Sequence, residues 1–316
     1  MKVLLTGSSG WLGSFLAFQL RAAGHEVTGL DVSPGSQTQV IGSVSNKGLV
    51  EEVVASGLEA IIHGGALHKP DIARYPKQDF IDTNVTGTLN LLEAAAKAGH
   101  DRFLFTSTTS LMVSATVRAG RNETAFWMGE TFYEGPPRNI YGMTKAAAEG
   151  LCRLAAAEYG MGIAILRTGR FFPEDDDTHH LLSDENMKAN EFLNRRLSAA
   201  DAARAHVVAL ERVPGIGCET FVLSAPPPFS REETAELASD ARAIIARRFP
   251  DAAELYAARG WKLPGRIDRV YDPAKAERLL GFRCETDFAS VLAAMREGRP
   301  HPFDHEPAYV PPKELA

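Results

Sequence analysis

Residues 1–31 read MKVLLTGSSGWLGSFLAFQLRAAGHEVTGLD. The apolar run Val3-Leu4-Leu5 has the pattern of a parallel strand buried on both faces. Gly7, Gly10 and Gly13 follow at three-residue spacing, and apolar periodicity predicts a helix over residues 11–23. Gly24 stands where a helix C-cap belongs. Val27-Thr28-Gly29-Leu30 makes a second strand, which Asp31 ends. A strand, glycine turn, helix, strand and acid in this order form the setting a dinucleotide fingerprint requires.

Each residue type has a physical task. Gly7 allows the tight turn, Gly10 clears the approach of a pyrophosphate, and Gly13 lets helix and strand pack closely. The helix N-terminus offers free N–H groups and a positive dipole end to phosphate. Asp31 lies roughly twenty residues beyond the turn, where an acid accepts hydrogen bonds from ribose hydroxyls. Such a carboxylate repels the 2′-phosphate of NADP, and Val32, Ser33 and Pro34 supply no arginine to receive it. The expected cofactor is NAD, with NADP second.

Composition narrows the class. The chain has 316 residues, 45% of them apolar, and a net charge of -6. That suffices for a sizeable core in one large or two small domains. The mild acidity argues against a nucleic-acid or anionic-membrane partner. No apolar run reaches the ~18 residues of a membrane span. Leu4 and Leu5 run straight into the glycine turn, so no signal peptide is expected, and the expected location is cytoplasmic. Cys152, Cys218 and Cys284 are few and far apart, which suggests reduced thiols and no metal site.

Further strands are predicted near residues 41–44, 60–63, 103–105 and 163–166, alternating with helices at 47–56, 78–98 and 139–159. Residues 112–138 read as loop. The alternation means an α/β fold of the Rossmann type, a doubly wound parallel sheet. A small mixed C-terminal substrate lobe is expected beyond it. It would hold a helix at 198–210, a strand at 219–223, a capping box at Ser230 and Glu233, and helices begun by Asp272 and Asp287. The expected divisions are 1–170 for the NAD-binding domain, 171–298 for the lobe interleaved with the end of the sheet, and 299–316 for an extended Pro-rich tail.

The second signal is Tyr141-Gly-Met-Thr-Lys145 at a helix start. Positions four apart share a helix face, so phenol and ammonium lie side by side. A free tyrosine titrates near ~10. A neighbouring positive charge, joined by that of an oxidised nicotinamide, favours the phenolate. Tyr141 then takes an alcohol proton while hydride leaves the same carbon. A hydroxyl from the preceding strand end would bind the substrate oxygen, with Thr108 the first choice and Ser107 and Thr109 its rivals.

At this point the chain resembles the extended short-chain dehydrogenase/reductases, the NAD-dependent epimerase/dehydratase family. The resemblance rests on residues 6–13 (TGSSGWLG), Asp31, His63-Gly64-Gly65-Ala66, Asn84-Val85-Thr86-Gly87-Thr88, residues 103–108 (FLFTST), and Tyr141 with Lys145. It covers residues 1–170 well and the rest loosely. It implies that Lys145 also holds the nicotinamide ribose and that Thr108 partners Tyr141. The implied cofactor surface adds Ser9, Trp11 and Leu12 to the glycines, then Ser43 and Val44, Gly64, Gly65 and Ala66, and Asn84 and Thr106. Ser43 stands where many members carry an aspartate beside adenine. The family also implies a homodimer built on the helices at 78–98 and 139–159.

Departures narrow the reaction. Thr109-Ser110 replace the acidic pair that follows the active hydroxyl in dehydratases, which disfavours dehydration. The diphosphate-binding arginines of sugar-nucleotide enzymes are out of register: Arg195 and Arg196 are near Asp201, and Arg266 and Arg269 near Asp272, but not at the matching positions. His68 and Lys69, Thr108 and Thr109, and Arg170 are candidate substrate contacts, with Arg167 a further candidate for an anionic group. Phe126, Trp127, Phe132 and Tyr133 are either an apolar substrate wall or core. His179 and His180 behind Asp175-Asp176-Asp177 read as an acidic surface loop before a metal site.

The expected function is hydride abstraction from a secondary alcohol of a sugar or sugar derivative by an NAD-dependent enzyme. The outcome is epimerisation, for example at C4 of a sugar nucleotide. The alternative is simple dehydrogenation or reduction of a smaller sugar, sugar acid or other alcohol. A non-catalytic dinucleotide sensor is a third possibility, and the intact Tyr141 and Lys145 weigh against it.

Overall fold

The computed structural model describes residues 1–172 and 182–303. The run 175–180 and most of the Pro-rich tail lie outside the described residues. In the first strand, Val3, Leu4 and Leu5 are all buried, yet Val3 and Leu5 join one apolar cluster and Leu4 another. Period-two alternation with both faces apolar makes this a central strand, because either face must be covered by helices.

The chain runs β1 (Lys2–Thr6), α1 (Trp11–Ala22), β2 (Glu26–Asp31), β3 (Val40–Ile41), α2 (Lys47–Val54), β4 (Ala60–His63), α3 (Lys77–Ile81), α4 (Gly87–Lys97), β5 (Arg102–Thr108) and α5 (Ala115–Ala119). It continues through β6 (Phe126–Met128), α6 (Ile140–Tyr159), β7 (Gly162–Thr168), α7 (Asp184–Glu191), α8 (Ala199–Arg212) and β8 (Cys218–Leu223). Then come α9 (Thr234–Arg248), α10 (Ala252–Ala257), β9 (Arg269–Tyr271), α11 (Ala274–Leu280) and α12 (Phe288–Glu297).

The main sheet is seven-stranded and parallel, in the order β3-β2-β1-β4-β5-β7-β8. Connections reverse direction between β1 and β4, which opens a crevice at the carboxyl ends of those strands. One face packs Leu16 and Leu20 of α1 with Ala205 and Leu210 of α8. The other packs Val50 of α2, Leu91 and Leu92 of α4 and Cys152 of α6. A third cluster, with Leu193, Leu237, Ile245, Tyr256 and Leu292, forms the core of the C-terminal lobe.

Several expectations need correction. The third strand is Val40–Ile41, and the chain turns away before Val44. The helix expected over 78–98 is broken by a π turn at Asp82–Thr86 between α3 and α4. The stretch read as loop holds α5 and also β6, which pairs in parallel with β9. The expected lobe also gives the main sheet β8 and a covering helix, α8. No helix among the described residues is long and apolar enough to cross a membrane.

Candidate active site

The glycine turn has the shape its residue types require. Gly7 has φ +76, and a Cβ there would come 2.7 Å from the nitrogen of Gly65. A Cβ on Gly13 would come 2.1 Å from the Gly7 carbonyl oxygen. Gly10 is the N-cap of α1 and contributes no side-chain cap, so the positive end of the helix dipole meets the glycine turn. Trp11 is buried, and Leu12 packs against the core. Asp31 accepts hydrogen bonds from Ser9 N at 3.0 Å and Ser33 N at 2.9 Å, so it holds the turn as well as facing the crevice end of β2. Ser43 bonds Ser45 at 2.8 Å, and Val44 is buried against Gly87. A cradle that single Cβ atoms would fill, with a helix N-terminus and an acid beside it, fits a dinucleotide.

The loop after β4 is braced from beneath. Gly65 N donates to Thr6 Oγ1 at 3.1 Å. His63 lies between Thr6 Oγ1 (2.7 Å to Nδ1) and Thr88 Oγ1 (3.1 Å to Nε2). Thr88 already donates to Asn84 O, so the network assigns the ring proton to Nε2. Burial, aided by the charge of Lys145, pushes His63 down to about 3 and keeps it neutral. Asn84, in the π turn, grips Leu67 by both N (2.9 Å) and O (3.0 Å) and donates to Thr144 Oγ1 at 3.1 Å. Its amide thus joins the loop holding Ala66 to α6. π turns are frequent at functional sites.

Thr108 ends β5, and Tyr141 and Lys145 lie on successive turns of α6, which Asn139 caps through Gly142 N at 3.0 Å. The Thr108 hydroxyl acts on the Tyr141 phenol in the sense that favours its ionised form. Its rivals are engaged elsewhere: Ser107 Oγ donates to Glu149 at 2.7 Å, and Thr109 Oγ1 to Thr168 O at 3.2 Å. Lys145 Nζ donates to Thr106 O at 2.7 Å and sits 4.5 Å from the centre of the Phe105 ring. Burial pushes Lys145 down to about 8, opposed by Cys152 and Glu149. Burial also pushes Tyr141 up to about 12, against the action of Thr108, and nearby Asp71 adds to the rise. Desolvation of the phenol thus outweighs the groups that favour its ionised form.

Other candidates divide between the crevice and the interior. The His68 ring lies 5.7 Å from Tyr141 and 5.8 Å from Phe172, while Lys69 opens a 3₁₀ turn beside it. Arg170 meets Glu191 at 3.4 Å. Arg167 is turned inward onto Glu149. Arg266 donates to the carbonyls of Ala238 and Asn122, and Arg269 is buried beside Asp268. Phe126 and Phe132 pack in a core cluster with Met128 and Tyr271, and Trp127 donates to Asp272 at 2.8 Å. Tyr133 is exposed. Phe126 and Phe132 thus take the core-packing role of the two that were open to them.

Sequence reasoning missed three supporting residues. Glu149 continues the Tyr141–Lys145 stripe by four residues, so helical spacing alone would have marked it. His206 Nδ1 donates to Ala202 O at 2.7 Å, so Nε2 accepts from Thr106 Oγ1 at 2.9 Å; burial pushes it down to about 4. Asp71 is buried and accepts from His68 N at 2.7 Å. Nothing local in the sequence marks those two.

With this geometry in hand, comparisons with known proteins become informative. The pattern of the NAD dependent epimerase/dehydratase family matches residues 3–222. A 3-beta-hydroxysteroid dehydrogenase of Mycolicibacterium neoaurum is 29% identical over 198 residues, 60% of this chain and 52% of that protein. A UDP-glucose 4-epimerase of Klebsiella pneumoniae is 32% identical over 127 residues, 35% of this chain and 91% of that protein. A short-chain dehydrogenase/reductase superfamily protein of Agrobacterium tumefaciens, solved with bound NAD, superposes with a TM-score of 0.65 at 22% identity, covering 94% of this chain and 98% of that one. The chain spans about half the length of the steroid dehydrogenase it matches. The structural likeness establishes the fold.

Proposed function

The chain belongs to the NAD dependent epimerase/dehydratase family, and from that premise we propose that it oxidises a secondary alcohol with NAD, most simply as a dehydrogenase that releases the ketone. One observation supports the reading: Thr108 at the end of β5 acts on the Tyr141 phenol, with Lys145 one turn further along α6. When bound, NAD supplies the hydride acceptor and a positive ring. Tyr141 receives the alcohol proton, Thr108 orients the same oxygen, and Lys145 holds positive charge behind the phenol and reaches the ribose. Asp31 takes the adenosine ribose, and the α1 N-terminus takes the pyrophosphate.

A second outcome is epimerisation, with the ketone turned over and reduced on its other face. The dehydrogenase outcome is favoured because Arg266 and Arg269 are both engaged within the C-terminal lobe. Both guanidinium groups thus already have protein partners. The substrate class we propose is a small, sugar-like alcohol. The outward residues Leu89 of α4 and Met143 and Leu154 of α6 are exposed and apolar, which supports a homodimer through these helices. Three free cysteines suit a reducing, cytoplasmic setting.

The test is to denature the purified protein and identify released nucleotide by mass spectrometry. An empty protein that binds NAD reversibly and forms NADH with a sugar-like alcohol supports the dehydrogenase. Stoichiometric retained NAD favours the epimerase. Full hydride transfer by a Tyr141→Phe variant would refute the mechanism.

A further inference from the structure

The carbonyl that holds Lys145 belongs to a residue gripped from the opposite face of the sheet. β4 stops opposite Phe105, whereas β5 runs on beside β7 to Thr108. Thr106 lies on this overhang. Its main-chain oxygen accepts from Lys145 Nζ of α6 at 2.7 Å, and its side-chain hydroxyl meets His206 Nε2 of α8 at 2.9 Å. The two helices cover opposite faces: Cys152 of α6 belongs to one apolar cluster, and Ala205 and Ala209 of α8 belong to the other. The same Thr106 hydroxyl lies beneath the loop after β4, 3.7 Å from where a Cβ on Gly64 would stand.

Hydrogen-bond direction along this path is fixed. His206 Nδ1 faces Ala202 O, which only accepts, so the ring proton lies on Nδ1. Nε2 then carries a lone pair and takes the single proton of the Thr106 hydroxyl. Burial pushes His206 down to about 4 and keeps the ring uncharged at neutral pH. Thr106, Lys145 and His206 are all buried, so bulk water does not compete for these bonds. Around the ammonium stand Tyr141, Glu149 and Cys152 on α6, the Phe105 ring on β5 and the neutral His63 at the end of β4. Glu149 is itself paired with Arg167 and Arg153. A buried ammonium loses much if its acceptor turns away, and the flexible lysine stem does not aim it. Threonine is stiff about χ1, so a hydroxyl held from α8 orients the residue whose carbonyl faces α6.

We propose that His206 is a positioning residue for Lys145: by accepting the Thr106 hydroxyl on the α8 face, it sets the peptide whose carbonyl holds the ammonium on the α6 face. α8 also packs along α1, where Gln19 Nε2 donates to Ala200 O at 3.1 Å. One helix thus braces both α1, proposed to take the pyrophosphate, and the strand end beside Lys145, proposed to reach the nicotinamide ribose. What Lys145 does for the alcohol rests on the proposed function; the linkage from His206 through Thr106 does not.

The experiment follows the titration of Lys145 in the full chain by NMR, with lysine carrying carbon-13 at Cε and the resonance identified by its loss in Lys145→Met. Thr106→Val removes the hydroxyl and leaves the carbonyl, and His206→Leu removes the acceptor. Each should lower the Lys145 titration by about 0.5 or more in pH, since the ammonium loses part of one hydrogen bond. The double variant should lower it no further than the stronger single one, because both cut the same path. His206→Gln, which offers an oxygen to the same hydroxyl, should recover part of the shift. Circular dichroism and melting check that each variant is folded, and Thr106→Val decides alone if His206→Leu is not. A Lys145 titration unmoved by Thr106→Val in a folded protein, as a mere packing role for His206 predicts, would overturn the inference. So would shifts that add in the double variant. A shifted titration in a protein that takes up no NAD would instead refute the proposed function and leave the linkage standing.

Discussion

Glu149 and Arg167 face each other in a two-pronged contact, Nε to Oε1 at 2.8 Å and Nη2 to Oε2 at 2.7 Å, behind the α6 face that carries Tyr141 and Lys145. Both side chains are buried. Burial alone raises the Glu149 pKa; Arg167, Ser107 and Arg153 outweigh it and bring it below the ordinary value. Removing one partner leaves the other charge unpaired in the interior.

Arg167→Leu is therefore expected to cost about 3–5 kcal/mol of stability in urea titrations. The double variant Arg167→Leu with Glu149→Leu should cost less than the single one. Because the folded pKa of Glu149 is depressed, its contribution is present above the unfolded pKa and is lost as pH falls through the folded one. The gap between wild type and the double variant should narrow correspondingly in acid.

Burial pushes the Tyr141 phenol up to about 12. Positive charge brought by NAD should lower the onset of phenolate absorbance in an ultraviolet pH titration. An onset unmoved by NAD would place the nicotinamide elsewhere. Tyr141→Phe should reduce NADH formation by roughly 10²–10⁴-fold.

Lys145 is pushed down to about 8 by burial. Its folded pKa lies below the unfolded value, so between the two the unfolded chain binds more protons and stability rises with pH. Lys145→Met should accordingly raise the melting temperature at pH 7, by about 2 °C or more. That advantage should shrink as pH climbs from about 8 toward 10.5. The same variant should bind NAD more weakly. A lower melting temperature at pH 7 would mean that the bond to Thr106 outweighs desolvation.

Gly13 has no room for a side chain, since its Cβ would lie 2.1 Å from a backbone oxygen. Gly13→Ala should cost about 1–3 kcal/mol through overpacking. NAD affinity should fall at least tenfold in the same protein, because the displaced atoms belong to the turn proposed to receive the pyrophosphate. Unchanged affinity would separate the turn from the cofactor site.

Much of this was legible in the sequence because it is local. Buried parallel strands read as apolar runs, and a glycine turn between strand and helix has few other uses. The spacing of Tyr141 and Lys145 fixes their proximity once the helix is granted. The π turn was invisible because one extra residue in a turn barely disturbs apolar periodicity around Leu89 and Leu92. β6 escaped because its partner, β9, is distant in sequence and the pair is only three residues long. Arg167 read as a possible ligand group because its partner Glu149 faces it only after α6 folds onto β7. His206 is 100 residues from the threonine it meets, beyond the reach of any pattern.

The placement of α8 and β8 has a bearing on autonomous folding. The face of the sheet bearing Leu5, Leu104 and Leu166 is roofed partly by Ala205 and Leu210, and its outer strand is Cys218–Leu223. A fragment stopping at residue 170 would carry every candidate catalytic group yet display a bare apolar face and an unpaired edge at β7. Such a fragment should aggregate, whereas one extended through residue 223 regains its missing roof and rim. The chain thus completes its seven-stranded sheet only with residues beyond the division expected at 170.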